Sequence, residues 1–408
     1  MDQAPRVLVL TTLFPHRPGE KEGNFVLDQV RALAAKGADV TVVVAKPWVP
    51  FRSLAPGKKR KIDVGIYAGE GFRVCNAAFF SLPRFALGEK AYDFARQGVL
   101  PAIDLLGDFD VVHAHGFLMG SVAVSASHLA NVPSIVTIHG IETRTHFDDT
   151  ENKRKRIAEV LEQADQVVLV GSPLIDYCKK YVSHANNFTV VGNGCTLYPD
   201  LKPSSRIPRR KAQRVVAVSN YEESKGFDLL VEAIANPEVR AKLELVLVGE
   251  GDRFRRLQSH AQEMGIGDSV HFTGLLSHRE AMEEVLAGDI FCLPSWREAF
   301  GIMYAEAMAL GKLTMGCRGQ GPADFIRHLE TGYLMEPGDT KSVVEGLCWA
   351  VQHPEAAMEV ARLGREFALT ALTWDANAAK MLALCESVIQ KRKQRLAVEK
   401  NRDRTASA

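Results

Sequence analysis

The chain has 408 residues, 46% of them hydrophobic and 24% charged, with a formal net charge of +1. That length is too great for one ordinary core and argues for two domains, and the balanced charge excludes a global field for nucleic acid. No apolar run approaches the ~20 residues of a membrane helix, and seven scattered cysteines without a C-x-x-C pair argue against a disulfide framework or zinc site and for a reducing, cytoplasmic compartment.

The polar stretch Met1–Arg6 leads straight into a strand-like run and does not read as a signal peptide. Arg6–Thr12 reads as a buried strand, Asn24–Lys36 as a helix ended by Gly37, and Asp39–Ala45 as the next strand. Further strands are expected at Asp110–Ala114, Ser134–Ile138, Gln166–Val170 and Phe188–Val191, with helices near Ser121–Ala130, Asn152–Gln163 and Pro173–Tyr181. Such β-α alternation implies a parallel sheet covered on both faces. Tyr198–Lys211, with three prolines, two adjacent serines and several basic residues, reads as a linker. A second alternating series follows. Its strands are expected at Arg214–Ser219, Leu243–Val248, Val270–Phe272, Ile290–Leu293 and Leu313–Gly316. Its helices are expected at Phe227–Ala235, Arg253–Met264, Arg279–Leu286, Tyr304–Leu310, Ser342–Val351 and Pro354–Leu369, before a long one from about Trp374 to Lys400. Ligands of such units favour clefts at the carboxyl ends of the strands.

The strongest chemical signal is Glu298-Ala-Phe-Gly-Ile-Met-Tyr-Ala-Glu306, with seven residues between its carboxylates. Glu298 falls at a strand-to-helix turn and Glu306 inside the helix, so a rise of 1.5 Å per residue separates them by roughly 12 Å. Glycosidase carboxylate pairs stand only ~5–9.5 Å apart, so the two cannot serve one bond and fit an elongated ligand touched at two places. The N–H groups of Phe300 and Gly301 open that helix, where an anionic group is favoured. The plainer reading is an acidic surface helix whose first Glu suits its dipole.

With this motif, the chain resembles family four of the retaining glycosyltransferases, which have the GT-B fold. Other matching segments are Ser219-Asn220-Tyr221-Glu222-Glu223-Ser224-Lys225-Gly226-Phe227-Asp228 and Val246-Leu247-Val248-Gly249-Glu250-Gly251. In the first half they are Phe14-Pro15 through Gly23-Asn24-Phe25-Val26, Val112-His113-Ala114-His115 and Thr137-Ile138-His139-Gly140. The resemblance covers nearly the whole chain and implies an α/β architecture of two Rossmann-like domains facing across a cleft. Residues 1–200 would form the acceptor domain, joined by a returning C-terminal helix at about 374–400, and residues 201–373 the donor domain. It further implies that Glu306 accepts hydrogen bonds from the donor's ribose, and that Glu298 contacts the donor sugar. The Phe300 and Gly301 N–H groups would meet sugar and phosphate, Lys225 the diphosphate, and His139 the transferred sugar. Asn220 and Gly249 would line the donor site, and Gly23, lacking a Cβ, would let its loop approach the diphosphate.

The activity implied is transfer of a hexosyl unit, with retention at the anomeric carbon, from a UDP- or GDP-linked donor to a glycan, lipid-linked or small-molecule acceptor. No cofactor or metal is expected: fixed cations and amide dipoles would offset the leaving diphosphate's charge. The family usually carries Arg five positions before this Lys; here that position is Asn220, which shifts the load onto Lys225, helix N-termini and another cation. Two other readings are an epimerase-like enzyme on the same scaffold and a catalytically silent nucleotide-sugar-binding protein.

Other signals are weaker. Gly249-Glu250-Gly251 lacks the third glycine of a dinucleotide fingerprint. His113 and His115 alternate as a two-His metal pattern would, but read better as core or cleft histidines. No G-x-S-x-G turn marks a serine nucleophile. Aromatic Phe79–Phe85 and basic Lys58–Lys61 together suggest peripheral contact with an anionic inner membrane face carrying a lipid-linked acceptor, set against a reading as ordinary core plus a solvated loop. Basic Lys391–Arg395 reads as a solvated helix end.

Overall fold

A computed structural model describes residues 4–15, 23–49, 66–68, 70–81, 90–140, 150–208 and 212–406. The chain divides into two compact units, Met1–Val170 with Leu174–Gly192 and Asn377–Ala408, and Gly171–Pro173 with Asn193–Ala376.

The first unit runs β1 (Arg6–Thr11), α1 (Asn24–Ala35), β2 (Asp39–Trp48), β3 (Ile66–Ala68), β4 (Phe72–Phe80), α2 (Lys90–Asp104), β5 (Val111–His115), α3 (Gly116–Ala130), β6 (Ser134–Ile138), α4 (Glu151–Gln163), β7 (Gln166–Leu169), α5 (Pro173–Lys179) and β8 (Phe188–Val190). Its strands form one sheet in the order β3-β4-β2-β1-β5-β6-β7-β8, parallel except where β3 meets β4. Valines crowd β1, β2 and β5 because both faces of a parallel sheet are covered, so no face stays polar.

β3, β4 and α2 were not anticipated. A strand covered on both faces shows little alternation, and β4 carries Asn76, buried, in its middle. Helix α2 holds Pro101, a residue that ordinarily ends helices. Phe79 is buried, and the Phe80 ring packs on Trp48 and Phe94 at 6.2 and 5.0 Å. Phe79 is therefore part of the core, whereas Phe80 is half-buried against the exposed Trp48. The rest of the proposed membrane patch, residues 82–85 and Lys58–Lys61, lies outside the described residues.

The second unit runs β9 (Gln213–Val218), α6 (Phe227–Ala235), α7 (Pro237–Arg240), β10 (Leu243–Val248), α8 (Phe254–Glu263), β11 (Val270–Gly274), α9 (His278–Ala287), β12 (Ile290–Cys292), α10 (Ile302–Ala309), β13 (Leu313–Cys317), β14 (Tyr333–Met335), α11 (Thr340–Gln352) and α12 (Pro354–Ala371). Its sheet, in the order β11-β10-β9-β12-β13-β14, is wholly parallel. The three-residue strand β14 and four-residue helix α7 were missed, each too short to show a period.

The segment read as a linker carries no helix or strand over its described residues 198–208, yet it is no free tether. Ser204 Oγ donates to Glu284 Oε1 at 2.5 Å, and Arg206 Nε donates to the same oxygen at 3.2 Å, so the strap is fastened along α9. Finally α13 (Trp374–Ala406) returns to the first unit. Its Ala378, Met381, Cys385 and Val388 join a cluster with Val26, Val30 and Leu33 of α1. Gln29 Nε2 donates to Asn377 Oδ1 at 2.8 Å, and Asn377 Nδ2 donates to the Gly192 carbonyl at 2.7 Å. All seven cysteines are unpaired. Among the described residues, no helix is long and apolar enough to cross a membrane.

Candidate active site

In the second sheet β9 is flanked by β10 on one side and β12 on the other. The strand order reverses there, the connection from β9 running to β10 and that from β12 to β13 in opposite directions along the sheet, which makes their carboxyl ends the natural ligand crevice. Those two loops carry the strongest sequence motifs. The β9 loop ends in a 3-10 turn, Glu223–Lys225, after which Gly226 starts α6. The β12 loop runs alongside it: Trp296 N–H and Ser295 Oγ both donate to the Ser224 carbonyl, at 2.9 and 3.0 Å. The result is an ion pair, Lys225 Nζ to Glu298 Oε2 at 2.8 Å. Glu298 is fixed from a third loop as well, its N–H donating to Gln320 Oε1 at 3.1 Å and its carbonyl accepting from Gly321 N–H at 2.9 Å. Gln320 and Gly321 were not singled out from the sequence, because nothing local marks a loop whose task is to hold another loop.

Glu306 lies inside α10, as its spacing predicted, and is only 1% exposed. Gly301 caps that helix in the left-handed region, φ 88°, and an added Cβ would sit 2.5 Å from the Tyr304 ring. No other residue suits both demands. Phe300 is buried with its ring 5.1 Å from Phe325, which anchors the turn. Buried Tyr304 donates its hydroxyl to the Leu293 carbonyl at 2.7 Å, locking α10 to the end of β12. Glu306 has partners of its own: His278 Nε2 stands 3.0 Å from Oε2, and Thr196 N–H donates to Oε1 at 3.3 Å. Neither partner was foreseen, since both come from segments without a motif.

Asn220 is exposed in the β9 loop, where its carbonyl accepts from Glu222 N–H at 2.8 Å. Gly249 follows β10 and donates to the Gly274 carbonyl at 3.0 Å. One cation beside the Lys225 turn is Arg253, whose guanidinium is engaged by Glu223 at 2.9 Å and Asp228 at 3.3 Å.

In the first unit the carboxyl ends of β5 and β6 bring three imidazoles together. His115 Nδ1 and His139 Nε2 are 2.7 Å apart, with rings stacked at 5.0 Å, and His113 Nε2 is 2.7 Å from Thr137 Oγ1. Burial pushes His113 down to about 4 and His139 down to about 3, with His115 also well below the ordinary imidazole range. All three are therefore neutral at pH 7, and the His115–His139 hydrogen bond shares one proton between two basic nitrogens. Phe25 of α1 closes over His139 at 4.6 Å. Gly23 caps α1 at φ 81°, and a Cβ there would lie 2.4 Å from the Leu13 carbonyl carbon. Its own chain thus demands glycine at that point.

Two family models match in succession. "Glycosyltransferase Family 4" covers residues 23–199 and "Glycosyl transferases group 1" covers residues 201–367. The chain is a family 4 glycosyltransferase. Some distant curated relatives match over most of their length: N-acetyl-alpha-D-glucosaminyl L-malate synthase of Bacillus anthracis is 27% identical over 348 residues, 82% of this chain and 86% of that one. D-inositol 3-phosphate glycosyltransferase 2 of Catenulispora acidiphila is 26% identical over 391 residues, 85% of this chain and 88% of that one. Among solved structures, sucrose-phosphate synthase from Thermosynechococcus elongatus superposes with a TM-score of 0.74 at 20% identity, covering 95% of this chain and all of that one. The Anabaena protein HepE in complex with UDP gives 0.70 at 16% identity, covering 94% of this chain and 100% of that one. These likenesses establish the GT-B fold, two parallel-sheet α/β domains in one chain. For this family 4 glycosyltransferase, a nucleotide-sugar donor follows from the family and its relatives.

Proposed function

We propose that the enzyme is a retaining, metal-independent hexosyltransferase. It takes a sugar from a UDP- or GDP-linked donor and passes it to a glycan, lipid-linked or small-molecule acceptor. The observation that carries this reading is the Lys225–Glu298 contact of 2.8 Å at the point where the strand order of the donor sheet reverses. A fixed ammonium there can meet the negative charge that grows on the departing diphosphate, in a site where preorganised charge needs no reorganisation. Glu298 holds that ammonium and offers its second oxygen to a sugar hydroxyl. The N-terminus of α10 adds the N–H groups of Phe300 and Gly301, and Glu306 takes the ribose.

In the displacement we favour, the acceptor oxygen approaches on the face the diphosphate leaves. The anomeric C–O bond to phosphate breaks through an oxocarbenium-like state, and the acceptor's proton passes to the leaving phosphate oxygen. His139 is assigned to the transferred sugar on the strength of the family resemblance. The relatives named for malate and inositol 3-phosphate support small anionic acceptors alongside glycans.

The test is kinetic. Turnover of UDP- and GDP-hexoses is measured with and without EDTA, and the product's anomeric configuration is read by NMR. Lys225→Ala should lower kcat by about 10²-fold. Glu306→Ala should chiefly weaken donor binding, by roughly 10-fold or more, as expected for lost charge-assisted hydrogen bonds. Inversion, or loss of activity with EDTA, overturns the mechanism; intact kinetics in both variants overturns the site. Sugar isomerisation without acceptor would favour the epimerase-like reading. Donor binding without turnover would favour a silent binding protein, the outcome that Asn220 in place of Arg makes worth seeking.

A further inference from the structure

We infer that His278 and Tyr198 position the Glu306 carboxylate for the donor's ribose hydroxyls and thereby set the preference for ribonucleoside over deoxyribonucleoside diphosphates. This rests on the assignment of Glu306 to the ribose made above. A carboxylate only accepts hydrogen bonds, so His278 Nε2, 3.0 Å from Glu306 Oε2, carries a proton. In the neutral ring Nδ1 is then bare, and it lies 2.7 Å from the Tyr198 hydroxyl, which donates to it. The three side chains form one directed chain from Tyr198 through His278 to Glu306.

The chain is held at both ends. Ser277 and Glu280 form a reciprocal capping box at the start of α9, which fixes the backbone that carries His278. The Arg279 guanidinium lies 5.6 Å over the Tyr198 ring and pairs with Asp200 at 3.1 Å, pinning the turn that carries Tyr198 onto α9. On the far side Thr196 N–H donates to Glu306 Oε1 at 3.3 Å. Among the described residues, Oε2 meets His278 and Oε1 accepts from Thr196, and each carboxylate oxygen keeps a further lone pair. Two vicinal hydroxyls, one donating to each oxygen, match that arrangement; a sugar lacking one of them does not.

The experiment measures binding of UDP and GDP and of their 2′-deoxy and 2′,3′-dideoxy counterparts, by calorimetry, to the wild type, His278→Ala, His278→Gln, Tyr198→Phe and Glu306→Gln. His278→Ala should weaken the ribonucleoside diphosphates ~5- to 10-fold and the deoxy forms less than about 2-fold, narrowing the preference. His278→Gln, which keeps an N–H donor at similar reach, should restore most of the preference, and Tyr198→Phe should fall between. If Glu306→Gln abolishes the preference while the His278 and Tyr198 variants keep the wild-type ratio, the proposal fails and the Glu306 assignment stands. If Glu306→Gln also leaves the ratio unchanged, or no nucleotide binds the wild type, both fail. Should His278→Ala not fold, His278→Gln and Tyr198→Phe carry the test.

Discussion

An ammonium and a carboxylate 2.8 Å apart, each largely shielded from water, hold one another in place. In the roles proposed for them, Lys225 and Glu298 would thereby be kept ready without a rotamer search for an arriving donor. Burial acts differently on the histidines. His113 has no exposed surface, and its folded form takes up a proton only near pH 4, against the ordinary value of 6.5. Between those values the unfolded chain binds more protons than the folded one, so stability is complete above pH 6.5 and falls as pH drops toward 4. Replacing His113 with Gln, which can still meet Thr137, should flatten the fall in melting temperature across that range. Equal slopes in the two proteins would refute this origin of acid lability.

At the scale of elements, β9 and β10 face each other in register at Arg214 and Glu244. Arg214 Nε donates to Glu244 Oε1 at 2.7 Å, and both side chains are 1% exposed. The guanidinium also donates to the Ile207 and Pro208 carbonyls at 3.2 Å, tying the strap before β9 to the sheet. Removing one partner of a buried pair leaves the other charge uncompensated, which typically costs about 3–5 kcal/mol. Glu244→Ala should lower unfolding free energy in urea by that amount. The double change Arg214→Met with Glu244→Leu should recover most of it, because desolvation of the pair offsets much of its attraction. A loss in the double variant as large as in the single would show that giving up the strap contacts of Arg214 costs as much as leaving its charge unpaired, and would refute the offset.

At the scale of the whole molecule, the first unit is assembled from distant parts of the chain, and its core includes α13 from Asn377 onward. Met381 is 1% exposed within that cluster. Met381→Ala should therefore destabilise the first unit by about 2–5 kcal/mol, the range for deleting a buried side chain of this size. Heat unfolding followed by a probe in that unit would show it; a change under 1 kcal/mol, about the scale of an ordinary surface substitution, would mean that the returning helix is only loosely docked.

Much was legible beforehand, because hydrophobic periodicity is a local property. Helix α6 falls at Phe227–Ala235 as read, and β6 and β10 match at both ends. The carboxylate motif placed Glu298 at a turn and Glu306 in a helix, since seven intervening residues and a glycine cap suffice to say so. What sequence could not supply is which segments come together. The Lys225–Glu298 contact depends on two loops leaving adjacent strands at a reversal of strand order, and the His115–His139 pair on the neighbouring ends of β5 and β6. The Tyr198–His278–Glu306 chain joins a strap and two helices whose residues show no common spacing. Periodicity records what each segment must bury, and so it determined the elements long and patterned enough to show it, while β3, β4, α2, α7 and β14 escaped it. Only the folded chain, by setting strand order and loop partners, decided which polar groups meet.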